Sequence, residues 1–201
     1  NSSLTVNLFS TNAPVNYPTP IVTVPLTDED LGTVQIFQGA TMIINNTTPY
    51  NSLTGNIGTA TGTAGSYSNF TAFGPYAMTA GQTYSFSLSS ILAATFSNHM
   101  RIYLDLNRNG VFTDLGECMY VAAATTPGAH TETGVFTIPA SAYAGLTRMR
   151  IFCYEGAPSA VYINTFGYGE FEDYLINITS TVNGGGNVPA ITSATWNGIA
   201  P

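Results

Sequence analysis

The chain has 201 residues, 44% of them hydrophobic and 12% aromatic but only 7% charged, with a formal charge of −7. There is no lysine, and the four positive side chains are Arg101, Arg108, Arg148 and Arg150, so no basic face is available for a nucleic-acid partner. The apolar stretches are too short to span a bilayer as helices, yet the apolar and aromatic content suffices for a packed core.

This length suits one large domain, or one domain with a short appendage. Asn1-Ser-Ser has neither the basic start nor the apolar run of a signal peptide, and reads as a mature or cut end.

In chain order the elements are short strands. Leu4, Val6 and Leu8 alternate with polar neighbours over 3–9, which predicts a half-buried strand. Pro14, Pro18 and Pro20 interrupt, and 21–26 resumes as a second strand. Thr27-Asp28-Glu29-Asp30 is the one acidic run and reads as a solvated turn, with a second ion site as the other reading. Strands follow over 33–37 and 41–45, on either side of Gly39. Residues 52–74, rich in Gly, Thr and Ser, read as loop or irregular β anchored by Tyr67, Phe70 and Phe73. The cleanest period of two is 83–89, with Tyr84, Phe86 and Leu88 inward and serines outward. Met100, Ile102 and Leu104 alternate likewise, on a strand that runs straight into a loop of oxygen-bearing side chains.

That loop spans 105–117. Asp105, Asn107 and Asn109 fall on alternate positions, Gly110 follows where a sharp turn is needed, Val111 offers a backbone carbonyl, and Asp114 and Glu117 add carboxylates. Such spacing suits a hard cation, and the residues predict a Ca2+ site of moderate, extracellular-type affinity. It is not an EF-hand, because the twelfth position is Gly116, the acid comes one residue later, and the flanks read as strands. The alternative is a metal-free turn in which the Asn and Asp side chains bond their own backbone. A catalytic transition metal is disfavoured, since no His or Cys set accompanies these oxygens.

Further strands are expected over 118–123, 134–138 and 146–154, with a turn at Pro127-Gly128 and one helical turn or a tight connection over 141–145. The 146–154 strand carries Arg148 and Arg150 on one face and Met149, Ile151 and Cys153 on the other. A last strand, 170–178, closes the domain. The pattern predicts an all-β, two-sheet antiparallel β-sandwich, jelly-roll-like, with a calcium-type loop.

Cys118 and Cys153 are the only cysteines and carry no spacing motif. They form either a disulfide in an oxidising compartment or two buried thiols. Three regions result: an N-terminal strand segment over 1–30, working between subunits or domains; the sandwich over 31–180; and a Gly-rich linker with a tail strand over 181–201.

Catalytic signatures are lacking. His99 and His130 are the only histidines, and neither a Gly-x-Ser-x-Gly elbow nor a phosphate or dinucleotide loop occurs. His99 shares a strand face with Arg101 and Tyr103, and reads as a surface or pairing residue.

The closing run Gly169-Glu170-Phe171-Glu172-Asp173-Tyr174, taken with 65–71, 79–85, 105–117 and 147–150, resembles the GEVED domain. The resemblance extends over residues 40–178. Phe171 stands where the family's name has Val and Leu106 where Phe is usual, and the cysteine that relatives often carry before the final motif is missing, so no disulfide is borrowed. It implies a β-sandwich module of secreted and surface-attached bacterial proteins, placed outside the cell, and does not imply that the module is itself an enzyme. The residues add their own argument. Glu170, Glu172 and Asp173 repel one another unless neutralised, and Arg148 and Arg150 are natural bidentate partners. A salt-bridge network is expected, against a share in the calcium site or plain solvent exposure.

The leading expectation is therefore a non-catalytic, calcium-stabilised structural or adhesive building block of a bacterial surface protein, filament or tandem array. Its partners would be neighbouring domains or identical subunits, joined through the terminal strands. The alternative is a carbohydrate-binding module of a secreted enzyme, with Tyr50, Tyr67, Tyr76, Tyr162 and Tyr168 stacking on glycans. A hydrolase would need Glu170 and Glu172 in a cleft.

Overall fold

The computed structural model describes residues 16–24, 29–46, 67–91 and 96–180. The expected strand over 3–9, Tyr50, most of the Gly-rich stretch and the linker and tail over 181–201 lie outside the described residues. Within them the strands are β1 (Ile21–Val22), β2 (Asp30–Gln38), β3 (Thr41–Asn46), β4 (Tyr67–Asn69), β5 (Tyr76–Thr79), β6 (Thr83–Ile91), β7 (Ser97–Leu104), β8 (Cys118–Val121), β9 (Thr126–Pro127), β10 (Thr131–Thr137), β11 (Gly145–Glu155), β12 (Thr165–Phe166) and β13 (Gly169–Thr179). One 3-10 turn, Thr71–Phe73, is the only helical element among them, and no helix is long and apolar enough to cross a membrane.

The strands form a β-sandwich. One sheet has the order β10-β6-β2-β3 and is antiparallel throughout; the larger has the order β4-β13-β11-β7-β8, with β5 also on β13 and β9 on β7. The expected antiparallel pattern needs one amendment. β4 and β5 both run parallel to β13, and β1 pairs with β12 in parallel. The connection over 141–145 is a turn, not a helix.

Period-two alternation builds the interior. Tyr84, Phe86 and Leu88 of β6 point into it with Val34 and Ile36 of β2, and they meet Met100, Ile102 and Leu104 of β7, Met149, Ile151 and Cys153 of β11 and Tyr174, Ile176 and Ile178 of β13. Each fully buried Leu or Ile is worth roughly 1.5–3 kcal/mol against exposure. The hydroxyl side of β6 pairs outward: Thr83 lies opposite Thr137 with their hydroxyl oxygens 2.8 Å apart.

The larger sheet is also covered on its other side. Val22, Tyr103, Phe112, Phe152, Tyr154, Phe166 and Phe171 form a second cluster there, with Tyr17 and Tyr162 against it. Phe166 and Phe171 stack at 4.2 Å between ring centroids. The segment 16–24, part of the 1–30 stretch expected to work between subunits or domains, lies on this face of its own chain: Tyr17 donates its hydroxyl to Asp105 at 2.7 Å, and β1 adds to β12. Coverage on both sides explains why β7 and β11 are buried almost continuously. Gly169, at φ +126°, opens β13 where a Cβ would lie 2.1 Å from the Cys153 carbonyl oxygen, so only glycine lets β13 and β11 approach there.

Candidate functional site

The 105–117 loop gathers its polar residues but turns them on one another. Asp105 is fully buried; its Oδ1 accepts the backbone N–H of Arg108 at 2.6 Å and of Asn109 at 3.2 Å, and its Oδ2 accepts that of Gly110 at 2.9 Å. Arg108 sits at φ 62°, held in the left-handed region by these bonds. Asn107 and Asn109 each donate a side-chain N–H to Asp114 Oδ2, at 2.8 and 2.6 Å. Glu117 accepts the N–H of Leu106 at 3.0 Å and of Asp114 at 3.2 Å. Burial, with the charges of Asp105 and Asp114 adding to it, pushes the Glu117 carboxyl up to about 7.

Asp105, Asn107, Asn109, Asp114 and Glu117 thus share one loop, closed by its own amides. Val111 is partly exposed, and its N–H donates to Asn109 Oδ1 at 3.1 Å. Among the described residues no three acids, histidines or cysteines stand as a ready metal cage. A cation would have to take over oxygens that now accept N–H groups.

The closing motif divides by strand face. Asp173 points to the outer side, where Arg150 Nε and Nη2 hold its two oxygens at 2.7 and 2.8 Å, Arg148 adds a bond at 3.0 Å and the Tyr67 hydroxyl another at 2.8 Å. Arg150 also reaches the Pro18 carbonyl, Tyr162 and Asn164, so one guanidinium ties three segments to β11. Glu170 and Glu172 point the opposite way, between the sheets. The expected five-member network therefore reduces to Arg148, Arg150 and Asp173, because neighbouring strand positions cannot share a face.

Glu29 and Asp30 join the inner group. Both are fully buried, which corrects their reading as part of a solvated turn. Ser68 donates to Glu170 Oε1 at 2.7 Å and the Leu31 N–H to Oε2 at 3.0 Å, and Tyr174 donates its hydroxyl to Glu172. Burial first, then the charges of Glu172 and Asp30, hold the Glu170 carboxyl well above the usual carboxylate range. Nothing in the sequence singles out Ser68 or Tyr17 for these roles.

His99 belongs to the outer face but not to the surface. It is fully buried; its Nε2 accepts Arg101 Nε–H at 3.0 Å, while Arg101 also bonds the carbonyls of Val161 and Ala157. Burial and the Arg101 charge lower its pKa to about 4. Cys118 and Cys153 are both free thiols: Cys153 lies in the inter-sheet core and Cys118 beside the outer aromatic cluster, so the sheet itself separates them. The tyrosines do not form an exposed platform. Tyr67, Tyr76 and Tyr162 are half-buried, Tyr67 and Tyr162 with internal hydroxyl bonds, and of these stacking candidates Tyr168 is exposed.

Residues 99–177 match the family model of the GEVED domain, a stretch that runs from β7 through the 105–117 loop and the arginine joint into β13. No curated protein matches the chain. The similarity to the GEVED domain is thus shown for 99–177, the part of the chain that holds β7, the 105–117 loop, the arginine joint and most of β13.

Proposed function

We propose that the chain is a non-catalytic structural module of an exported bacterial protein, a rigid β-sandwich unit of a filament, stalk or tandem array with an adhesive or load-bearing role. The supporting observation is where the charges go. Arg101, Arg108, Arg148 and Arg150 are each bonded to carbonyls or carboxylates of their own chain, and Glu170, Glu172 and Asp173 are fully buried. Ionisable groups disposed in this way join loops to sheets and are out of reach of a substrate.

Calcium is part of the same reading, as a stabiliser of the 105–117 loop. Its support is that three carboxylates and two amides lie in one turn while Arg108 reaches away to the carbonyls of Ala144 and Leu146. Assembly is proposed through added strands. Among the described residues nothing pairs with the outer edge of β3, whose six residues include neither a charge nor a proline to protect it. Electron microscopy and light scattering of the full chain, with and without calcium, test the proposal. Fibres or defined oligomers support it; a monomer at every concentration in both conditions refutes it.

A further inference from the structure

Among the described residues, no arginine is placed against the Glu170 carboxyl in the inter-sheet space that it enters with Glu172. Facing them are Glu29 and Asp30 where the chain enters β2, Cys153 of β11 and, further off, Glu132 of β10 with His130 just before that strand. The neutral polar groups there are Ser68 of β4, Asn46 of β3, Tyr174 of β13, Asn98 of β7 and Ser90 of β6. Arg101, Arg148 and Arg150 lie on the far side of the larger sheet, Arg108 lies at the loop, and the chain has no lysine. His130 is already held against Glu132 at 3.1 Å. An ionised carboxylate taken out of water without an opposite charge costs more than a few hydrogen bonds return, and such a group gives up its charge instead.

We propose that Glu170 is held as the neutral acid in the folded protein at neutral pH, making the contact between β2 and β13 a proton-dependent joint that loosens as the proton leaves. The Leu31 N–H and the Ser68 hydroxyl fix the Glu170 carboxyl in place between the two sheets, so its charge state is felt by both. Burial and the like charges of Glu172 and Asp30 all raise its proton affinity above the ordinary carboxyl value of 4.5. The folded chain then binds a proton that the unfolded chain has released. Stability from this group is complete below the ordinary carboxyl value and is lost as pH rises through the folded one, opposite to a salt-bridged acid.

The direct test is a carbon-13 titration of the Glu170 side-chain carboxyl in the full chain, with EDTA present. A neutral-acid shift persisting at pH 6–7 is expected, and a charged carboxylate at pH 6 overturns the proposal. Thermal melts supply the second measurement. Glu170→Gln, which keeps the shape without the charge, should melt higher than the parent by about 5 °C or more at pH 8.5. At pH 5 the two should agree. A variant that melts lower than the parent at pH 8.5 overturns the proposal. So does calcium restoring the parent's acid-side stability at pH 8.5 without doing so in the variant, because the neutralising charge would then be a cation.

Discussion

The two faces of β13 solve one problem in opposite ways. On the outer face Arg148 and Arg150 stand against the Asp173 carboxylate, with Tyr67 completing the set. On the inner face Glu170 has only hydroxyl and amide donors and the charges of other acids around it. The outer face is an ion pair made durable by bidentate geometry; the inner face is a polar cluster buried between two sheets. Acid should therefore act on them differently. The outer face needs a neutral His99 to accept from Arg101 and is weakened by protons, while the inner face is strengthened by them.

The largest expected effect comes from breaking the outer face. Arg150→Met leaves Asp173 buried with only Arg148 for charge and releases Pro18, Tyr162 and Asn164, so urea unfolding should show a loss of about 3–5 kcal/mol. Calcium comes next. At a hundredfold excess over the dissociation constant it should add about 2.7 kcal/mol to the melt. Asp114→Ala should abolish that gain, whereas Asp105→Ala lowers stability with or without calcium because Asp105 caps three backbone N–H groups.

The His99 effect is smaller and sharpens the contrast. A proton-NMR titration should place its midpoint near 4. The folded value lies below the ordinary 6.5, so its stabilisation is present above 6.5 and lost as pH falls toward 4, a cost of about 1–2 kcal/mol at pH 5. The smallest expected change is none: a reductant should not shift the melt, because Cys118 and Cys153 lie on opposite faces of one sheet.

Much of this was legible in the sequence because a strand's period of two is a local property. The faces of β6, β7 and β11 follow from alternating residues such as Tyr84, Phe86 and Leu88, and the sandwich follows from the spacing of turns. The same period applied to Glu170, Glu172 and Asp173 already says that Asp173 stands apart; grouping the three by charge hid it. What was not legible depends on distant chain. Tyr17 reaches Asp105 across 88 positions and Leu31 reaches Glu170 across 139, and no local pattern encodes either contact. The second layer of burial was missed for a related reason. Its covering pieces, 16–24 and 157–166, are too short to show a period, yet they turn Phe152, Tyr154 and His99 from surface into interior.

The most direct test of this account is to remove one charge from each face of β13 and compare the urea unfolding free energies at pH 8 with EDTA present. Asp173→Asn should lower stability, by stranding two arginines, and Glu170→Gln should raise it. Two losses of similar size would mean that the inner carboxyl is ionised and paired like the outer one, and the division of β13 into a charged and a protonated face would be wrong.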